Sequence, residues 1–366
     1  PMCLPDELHL LRGRLEERVR KVRRLHPAQD LRMPLYVAEQ GARVGIRKNL
    51  LVVTARDGAQ QHSVRLPHTS QVCLLGNVQV STQAIRALLA RRVPVVFFSA
   101  GGWYLGRTLD HDTKNVELRL AQYRSFDDEG FRVRLARGLV RNKILNARTF
   151  LRRNASGADQ ATALKELKGL ARKAEHAVRR SSLLGIEGTA ARTYFAQLGA
   201  LLKGNDKLKS LFEFDGRNRR PPRDPINACL SFAYAMLVKD FALALTAVGL
   251  DPLLGYYHEP RFGRPSLALD LMEPFRVLIA DSAVVSAINN GELSERDFVV
   301  SAVGCTMTTA GRRRLLKSYE RRMAHEVTHP VFGYRISYRR VIEVQARLLT
   351  RLLLGELETY PEFITR

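Results

Sequence analysis

Cysteine is scarce in this sequence, which has four in 366 residues. The four are far apart in the chain, at Cys3, Cys73, Cys229 and Cys305. A disulfide framework or a complete zinc knuckle needs a different spacing, so both are excluded. Isolated thiols suit a reducing compartment, and we expect the protein to be cytoplasmic.

Long apolar runs are also lacking. A membrane-spanning helix needs about 18 uninterrupted apolar residues. The most apolar stretch, at 241–254, contains Asp251 and Pro252. We therefore expect no association with a membrane.

Acidic residues are few relative to basic ones. The chain has 36 Asp and Glu against 59 Lys and Arg, which gives a formal net charge of +23. Hydrophobic residues make up 45% of the sequence, enough for a core, so global disorder is excluded. An excess of positive charge of this size predicts a polyanionic partner, with nucleic acid ahead of a membrane.

The basic residues are clustered. A single basic run is usually a solvated surface, but several runs on a strongly basic chain favour phosphate binding, which fixes position rather than reading base sequence. The runs occupy 132–153, 217–223, 312–314 and 335–351.

The hydrophobic periodicity divides the chain into three parts, and the expected fold class is α+β. Residues 1–33 predict a helical linker. Residues 34–112 contain short strand-like runs separated by turns and predict a small β-rich N-terminal domain. Residues 113–366 have helical periodicity and predict a large all-α domain, with Asp224-Pro225 as one helix start.

Glu187 is the first residue that suggests chemistry. It precedes a helix predicted from 188, and it lies in line with the apolar stripe that includes Ala190 and Tyr194. A carboxylate on a buried face needs a partner, and a cation is one such partner. The alternative is a half-exposed Glu at the positive end of the helix dipole. Periodicity alone favours the second interpretation.

A second group of polar residues lies at 258–276. His258 falls in a predicted loop before a helix that begins near Pro265. Asp270 and Glu273 are three residues apart and so share one face of that helix. Pro274 lacks the N–H that would bond the Asp270 carbonyl and should kink the helix beside the acids.

These side chains allow two interpretations. One His with two or three carboxylates suits a divalent ion such as Mg²⁺ or Mn²⁺. The alternative is an ordinary helix whose acids pair with Arg264 or Arg276. The residues alone leave both open.

A third pattern, from His325 through Glu326 to His329, matches the HExxH motif of zinc peptidases. That chemistry needs both His side chains on one helix, with the Glu as general base. Pro330 directly follows and disfavours helix at His329. His329 is also the last histidine in the chain, so no downstream third His ligand is available.

From about Leu35 to Tyr360 the sequence resembles the CRISPR-associated integrase family, the catalytic subunit of the complex that inserts new spacers. The motifs occur in the family's order, and the run from Arg264 to Glu273 is highly specific to it. The others are Gly102-Trp103-Tyr104-Leu105-Gly106, Lys143 with Asn146, Gly185-Ile186-Glu187-Gly188, Asp224-Pro225-Ile226-Asn227 and the segment from His258 to Arg276.

The resemblance implies a catalytic all-α domain and a β-rich dimerisation domain. It implies that Glu187, His258 and Glu273 are metal ligands for Mg²⁺ or Mn²⁺, with Asp270 as a further acid of the catalytic site. It implies nucleophilic attack by a 3′-hydroxyl of a DNA fragment on the CRISPR repeat, once on each strand. The implied partners are double-stranded DNA (prespacer and repeat), a second copy of the chain and a small ferredoxin-like protein.

Five arginines are our candidates for DNA contact, since they lie in a basic run or flank the acids. They are Arg217, Arg219, Arg220, Arg264 and Arg276.

The N-terminus departs from the family, whose members usually begin near the first strand. Residues 3–7 resemble the end of a RecB-like CRISPR-associated nuclease, in which the last cysteine helps to hold a 4Fe-4S cluster. We expect the chain to be the integrase part of a nuclease–integrase fusion. Cys3 alone cannot hold a cluster, so any cluster would belong with an upstream domain.

Two alternatives remain beside the integrase. One is a basic nucleic-acid-binding protein without catalysis. The other is the zinc peptidase built on His325, Glu326 and His329.

Overall fold

The computed structural model describes residues 32–58, 61–108, 115–155, 160–203, 210–218 and 221–365. The linker predicted at 1–33 lies almost entirely outside the described residues, as do Cys3, Arg219 and Arg220.

Within the described residues, the N-terminal region contains two four-stranded sheets. The first has the strand order β1-β5-β7-β8, in which β8 is antiparallel to β7 and the other pairs are parallel. The second has the order β4-β3-β2-β6, with only the β2–β6 pair parallel. The strands are β1 Met33–Val37, β2 Arg43–Arg47, β3 Leu50–Thr54, β4 Gln61–Arg65, β5 Thr69–Leu75, β6 Gln79–Val80, β7 Val95–Phe98 and β8 Tyr104–Arg107.

The first sheet is buried on both faces, and the alternation of side chains along β5 shows how. Val72 and Leu74 pack into a core shared with the second sheet, whereas Cys73 and Leu75 pack into the core of the helical region. Successive side chains of a strand point to opposite faces, so one strand serves two cores. A parallel sheet covered on both sides reads as a nearly continuous apolar run, as β5 does.

The helix that follows β6 begins at a serine that caps its N-terminus. The Ser81 hydroxyl accepts a hydrogen bond from the Ala84 N–H at 3.2 Å, which is the usual N-cap geometry. Asp224 caps a later helix in the same way, through the Asn227 N–H at 2.8 Å. The helix start predicted at Asp224-Pro225 is thus confirmed.

Most of the remaining described residues are helical. The α-helices are α1 Thr82–Ala90, α2 Val116–Asp127, α3 Glu129–Asn154, α4 Gln160–Glu175, α5 Arg180–Ala196, α6 Pro225–Val248, α7 Ser266–Met272, α8 Ser282–Asn289, α9 Thr309–Ala324 and α10 Tyr338–Leu353.

The prediction that 113–366 is all helical is wrong in two places. Strands β9 Phe298–Ser301 and β10 Gly304–Met307 form one antiparallel ribbon, and β11 Glu326–Thr328 with β12 Arg335–Ser337 forms another. These strands are three or four residues long, too short for a clear period of two in the sequence.

Helix α5 begins at Arg180, well before the predicted start at 188. Glu187 therefore lies in the middle of a helix, and the interpretation as a helix-start Glu is wrong. At Pro274, where the sequence predicts a kink, α7 gives way to a 3₁₀ turn, Glu273–Phe275, and then to a π-helical segment, Arg276–Asp281.

Helix α6 is the central helix of the larger core. By length and composition it could cross a membrane, but 78% of its most apolar window is buried inside the protein. Gly102, which has a φ of +88°, lies against it, and a Cβ there would come within 2.5 Å of the Phe232 ring. The close approach of the β7–β8 turn to α6 therefore requires glycine.

A buried ion pair on α6 joins the first sheet to the helices. Lys239 Nζ lies 2.8 Å from Asp240 Oδ1 and 3.2 Å from the Tyr36 hydroxyl of β1. The Tyr319 hydroxyl of α9 donates to Asp240 Oδ2 at 2.7 Å. Burial acts to raise the pKa of Asp240, but Lys239 and Arg339 outweigh it and hold the pKa below its usual value.

We predict that Lys239→Met lowers the free energy of unfolding by about 3–5 kcal/mol, because it leaves Asp240 charged, buried and without its cation. Urea denaturation near neutral pH measures this loss. Tyr319→Phe removes a single hydrogen bond and should cost only about 1–2 kcal/mol. Equal losses in the two variants would contradict the assignment of Lys239 as the main counter-charge.

The pH dependence should follow from the same pair. The pKa of Asp240 is lower in the folded than in the unfolded chain, so its contribution is present near neutral pH and is lost as the pH falls through the folded-state pKa. The Lys239→Met variant should lose this acid-sensitive contribution.

Candidate active site

Four segments bring the candidate site together. Helix α3 supplies Lys143, helix α5 supplies Glu187, and the loop before α7 supplies His258. The 3₁₀ turn that follows α7 supplies Glu273. Two of these residues, Glu187 and Glu273, bind the same ammonium group, and His258 is close enough to act on Glu273 electrostatically.

Asp270 organises the loop that carries His258. Its carboxylate is fully buried and accepts the backbone N–H groups of Tyr256 at 2.6 Å, Tyr257 at 2.9 Å and His258 at 2.8 Å. Three successive N–H groups on one carboxylate fix the path of the loop. These hydrogen bonds alone explain why an acidic residue stands at position 270, without any bound ligand.

The same carboxylate orients the His258 ring. His258 Nδ1 lies 2.7 Å from Asp270 Oδ1. An unprotonated Nδ1 would bring its lone pair against a carboxylate oxygen, so Nδ1 carries the proton and donates it. This arrangement leaves Nε2 as the ring nitrogen with a lone pair, which is how a carboxylate prepares an imidazole to bind a metal.

Glu187 and Glu273 are held on one cation. Lys143 Nζ contacts Glu187 Oε1 and lies 2.6 Å from Glu273 Oε2. The Tyr257 hydroxyl donates to the other Glu187 oxygen at 2.7 Å. The two carboxylates therefore point at a common position, and an ammonium group is there.

Arg276 provides the second counter-charge of the site. It donates to both oxygens of Glu273, at 3.0 and 3.2 Å. Burial acts to raise the pKa of Glu273, but Arg276, Lys143 and His258 together outweigh it and hold the pKa well below its usual value. Glu273 is thus an ionised carboxylate with little exposure to water.

Arg276 rests on a buried support. Its guanidinium carbon lies 4.0 Å from the centre of the Tyr234 ring, a cation–π contact. The hydroxyls of Tyr234 and Tyr194 donate to the two oxygens of Asp281, at 2.7 and 2.8 Å. This network joins α5, α6 and the π-helical segment behind the site.

Asn146 fixes the turn that carries Glu273. It is fully buried, one helical turn after Lys143, and its amide donates to the Pro274 carbonyl at 2.9 Å and to the Phe363 carbonyl at 2.8 Å. In the sequence, Lys143 and Asn146 stand out only as part of a family pattern. The two residues are three positions apart and so lie on one face of α3, which is the sequence signal that they act at the same site.

The site offers carboxylate oxygens and one imidazole nitrogen, which are donor types that bind divalent cations. As the side chains stand, no group of three or more His, Cys, Asp and Glu in the described part of the chain could hold a metal ion. Lys143 occupies the position on which the acids converge, so a metal at Glu187 and Glu273 would have to displace it.

The zinc peptidase interpretation is wrong. Helix α9 ends at Ala324, and Glu326 begins strand β11, so the two histidines do not share a helix. His329 is fully buried, and its Nδ1 accepts from the backbone N–H groups of Val331 and Phe332. Burial also lowers the pKa of His329 to about 4.

The arginines predicted to bind DNA have different positions. Arg276 belongs to the acid cluster, and Arg217 reaches inward to Asn227 and to the Ser231 hydroxyl. Arg264 is partly buried in the loop before α7. Arg219 and Arg220 lie outside the described residues. A role of these side chains in DNA binding stays a prediction.

Comparison with known families gives a match over residues 35–321 to the model described as CRISPR associated protein Cas1. The chain is 50% identical over 371 aligned positions to a "CRISPR-associated exonuclease Cas4/endonuclease Cas1 fusion" of Geobacter sulfurreducens, covering 100% of this chain and 65% of that protein. It is 36% identical to "CRISPR-associated endonuclease Cas1 3" of Thermus thermophilus, covering 91% of this chain and 97% of that protein. The chain thus spans about two thirds of the fusion protein.

Solved structures share the fold. A CAS1 protein from Thermotoga maritima superposes with a TM-score of 0.76 at 24% identity, covering 90% of this chain and 99% of that one. A chain of a "Cas6-RT-Cas1--Cas2 complex" superposes with a TM-score of 0.75 at 26% identity, covering 92% of this chain and 36% of that one.

We predict that Asp270→Ala lowers the free energy of unfolding by about 3 kcal/mol or more, because it leaves three backbone donors without their acceptor. Urea denaturation measures the loss. Asp270→Asn keeps one carbonyl oxygen and should lie between Asp270→Ala and the wild type. An Asp270→Ala variant as stable as the wild type would contradict the proposed organisation of the loop.

Proposed function

Because the chain belongs to the CRISPR-associated Cas1 family, we propose that it is a DNA endonuclease and integrase that inserts DNA fragments as new spacers into a CRISPR array. The observation that carries this proposal is the convergence of Glu187 and Glu273 on one cation, beside a His258 ring that a buried carboxylate orients.

The proposed metal ligands are Glu187, His258 and Glu273, with Asp270 as the residue that positions His258. A bound Mg²⁺ or Mn²⁺ would polarise the scissile phosphoryl group and stabilise the departing oxyanion. Arg276 stays on the buried side of Glu273 and keeps that carboxylate ionised. Lys143 would then be released from the two acids and would remain as a cation available to the phosphate.

The proposed reaction is a transesterification on DNA. The 3′-hydroxyl of a DNA fragment attacks a phosphodiester of the CRISPR repeat, a new phosphorus–oxygen bond forms, and the bond to the repeat's own 3′ oxygen breaks. A second such reaction on the other strand completes the insertion. The basic runs of the chain would hold the phosphates of both duplexes away from the chemistry.

The proposed partners follow the family. They are double-stranded DNA, a second copy of this chain through the β-rich domain, and a small ferredoxin-like protein. Support for a protein partner comes from the solved relative whose chain belongs to a complex with Cas2. We propose a cytoplasmic site of action.

We also propose that the chain is the integrase part of a longer nuclease–integrase protein. The support is that the proteins of Geobacter sulfurreducens and Rhodospirillum rubrum, which it matches over its full length, are described as Cas4/Cas1 fusions. A 4Fe-4S cluster would belong to the nuclease part, with Cys3 at the boundary.

We predict that His258→Ala abolishes strand transfer into repeat DNA in the presence of Mn²⁺ and leaves DNA affinity within about twofold, because one imidazole side chain contributes little beside the many basic residues that bind phosphate. Gel analysis of the transfer product and a mobility-shift titration measure the two quantities. His325→Ala, in the discarded peptidase motif, is the matched control and should retain activity. Full strand transfer by His258→Ala would contradict the proposed active site. A wild-type protein that binds DNA but transfers no strand would favour a binding protein without catalysis.

We predict that Lys143→Met raises Mn²⁺ affinity by about tenfold, because the ammonium no longer competes for the carboxylates of Glu187 and Glu273. Titration followed by the electron paramagnetic resonance of free Mn²⁺ measures binding without any reaction. Lys143→Arg keeps the charge and should bind Mn²⁺ like the wild type. Weaker binding by Lys143→Met would show that Lys143 supports the metal site instead of competing with it.

A further inference from the structure

Phe262 is the most exposed large apolar side chain in the described part of the protein. Its relative exposure is 109%, so none of the described residues covers it. Burying a phenylalanine ring usually stabilises a fold, and a fully exposed ring gives up that contribution. Single apolar residues are normal on a protein surface, so exposure alone assigns no role to the ring, and its role depends on what surrounds it.

The loop that carries Phe262 is fixed at its base. Glu259 pairs with Arg132 at 3.2 Å and also with Arg180, and its carbonyl accepts from the Ser266 hydroxyl at 3.1 Å. Gly255 lies beneath, where a Cβ would come within 2.6 Å of Ser266. The ring is therefore held out from an anchored base.

The tip of the loop is cationic as well as aromatic. Arg261, immediately before Phe262, is exposed, and Arg264 follows two residues later. The one acid of the loop, Glu259, is already paired with two arginines. An aromatic face beside arginines is the combination that binds an unpaired nucleic-acid base, by stacking on the base and pairing with its phosphate.

The distance to the candidate site suits such a contact. Phe262 is four residues from His258, so their Cα atoms are at most about 14 Å apart. Successive nucleotides of one strand are about 3.4 Å apart along a helix. Bases of an unpaired strand are at least that far apart, so a base stacked on Phe262 would lie within a few nucleotides of a phosphodiester placed at His258.

We propose that Phe262 is a positioning residue that stacks on an unpaired base of the bound DNA, a few nucleotides from the reacting phosphodiester. The inference rests on the function proposed above. In this role the loop would hold a single-stranded end, or an opened strand, in line with His258. A protein partner on the same ring is the competing occupant.

The test uses 2-aminopurine, a fluorescent base whose emission is quenched by stacking, at successive positions near the end of a forked DNA. Binding is measured in EDTA so that no reaction occurs. We expect wild type to change the emission at one or two adjacent positions in the unpaired arm. Phe262→Ala should lose that change and bind forked DNA about tenfold more weakly, whereas Phe262→Trp should retain both.

The controls distinguish the loss of base stacking from an effect of charge and from a general loss of protein structure. Fully paired DNA of the same length should bind Phe262→Ala and wild type alike. The dependence of affinity on salt should be the same in both, because no charge is removed. Val303→Ala, an exposed apolar residue on the β9–β10 ribbon, should behave as wild type on both DNAs.

Two outcomes would overturn the inference. Identical emission changes in wild type and Phe262→Ala would show that no base stacks on the ring. Unchanged DNA binding together with altered self-association of Phe262→Ala would assign the ring to a protein partner. A parallel reaction of wild type with Mn²⁺ tests the proposed function separately, because missing strand transfer counts against that function whatever the fluorescence shows.

Discussion

The candidate site depends on Asp270, whose carboxylate accepts hydrogen bonds from three consecutive backbone N–H groups. Asp270 is fully buried, and it binds the main chain at 256–258 as well as the His258 ring. One carboxylate therefore sets both the path of the loop and the tautomer of the imidazole. The anchored loop that projects Phe262 begins at the same point, so the proposed chemistry and the proposed DNA contact would share one support.

Balance of charge is the second constraint on the site. Glu187 and Glu273 are close together in a setting with little water, where two like charges repel strongly. Lys143 and Arg276 compensate for them, one from each side. The Arg276 side is closed by the Tyr234 ring, whereas the Lys143 side is where the acids converge. This asymmetry distinguishes Arg276, a structural counter-charge, from Lys143, which the proposed metal would replace.

The sequence predicted strands in the N-terminal region, mostly helices after it and the helix start at Asp224, because these features depend on local periodicity and on single side chains. It placed Glu187 at a helix start, since nothing in the sequence around Arg180 marks the beginning of α5, whose N-cap has no side-chain hydrogen bond. The short ribbons were missed because three or four residues cannot display a period. The family pattern predicts Glu187, His258 and Glu273 as metal ligands. Lys143 belongs to the same pattern, but its pairing with both acids depends on how α3 packs against α5 and the turn after α7, which the sequence does not record.

The alternation along β5 limits how this protein can be divided. Val72 and Leu74 belong to one core, Cys73 and Leu75 to the other. A cut between the β-rich part and the helices would leave an apolar sheet face open to solvent on one fragment and an open helical core on the other. Gene rearrangements within this family should therefore keep the sheet and the helices together. New domains should be joined outside that unit.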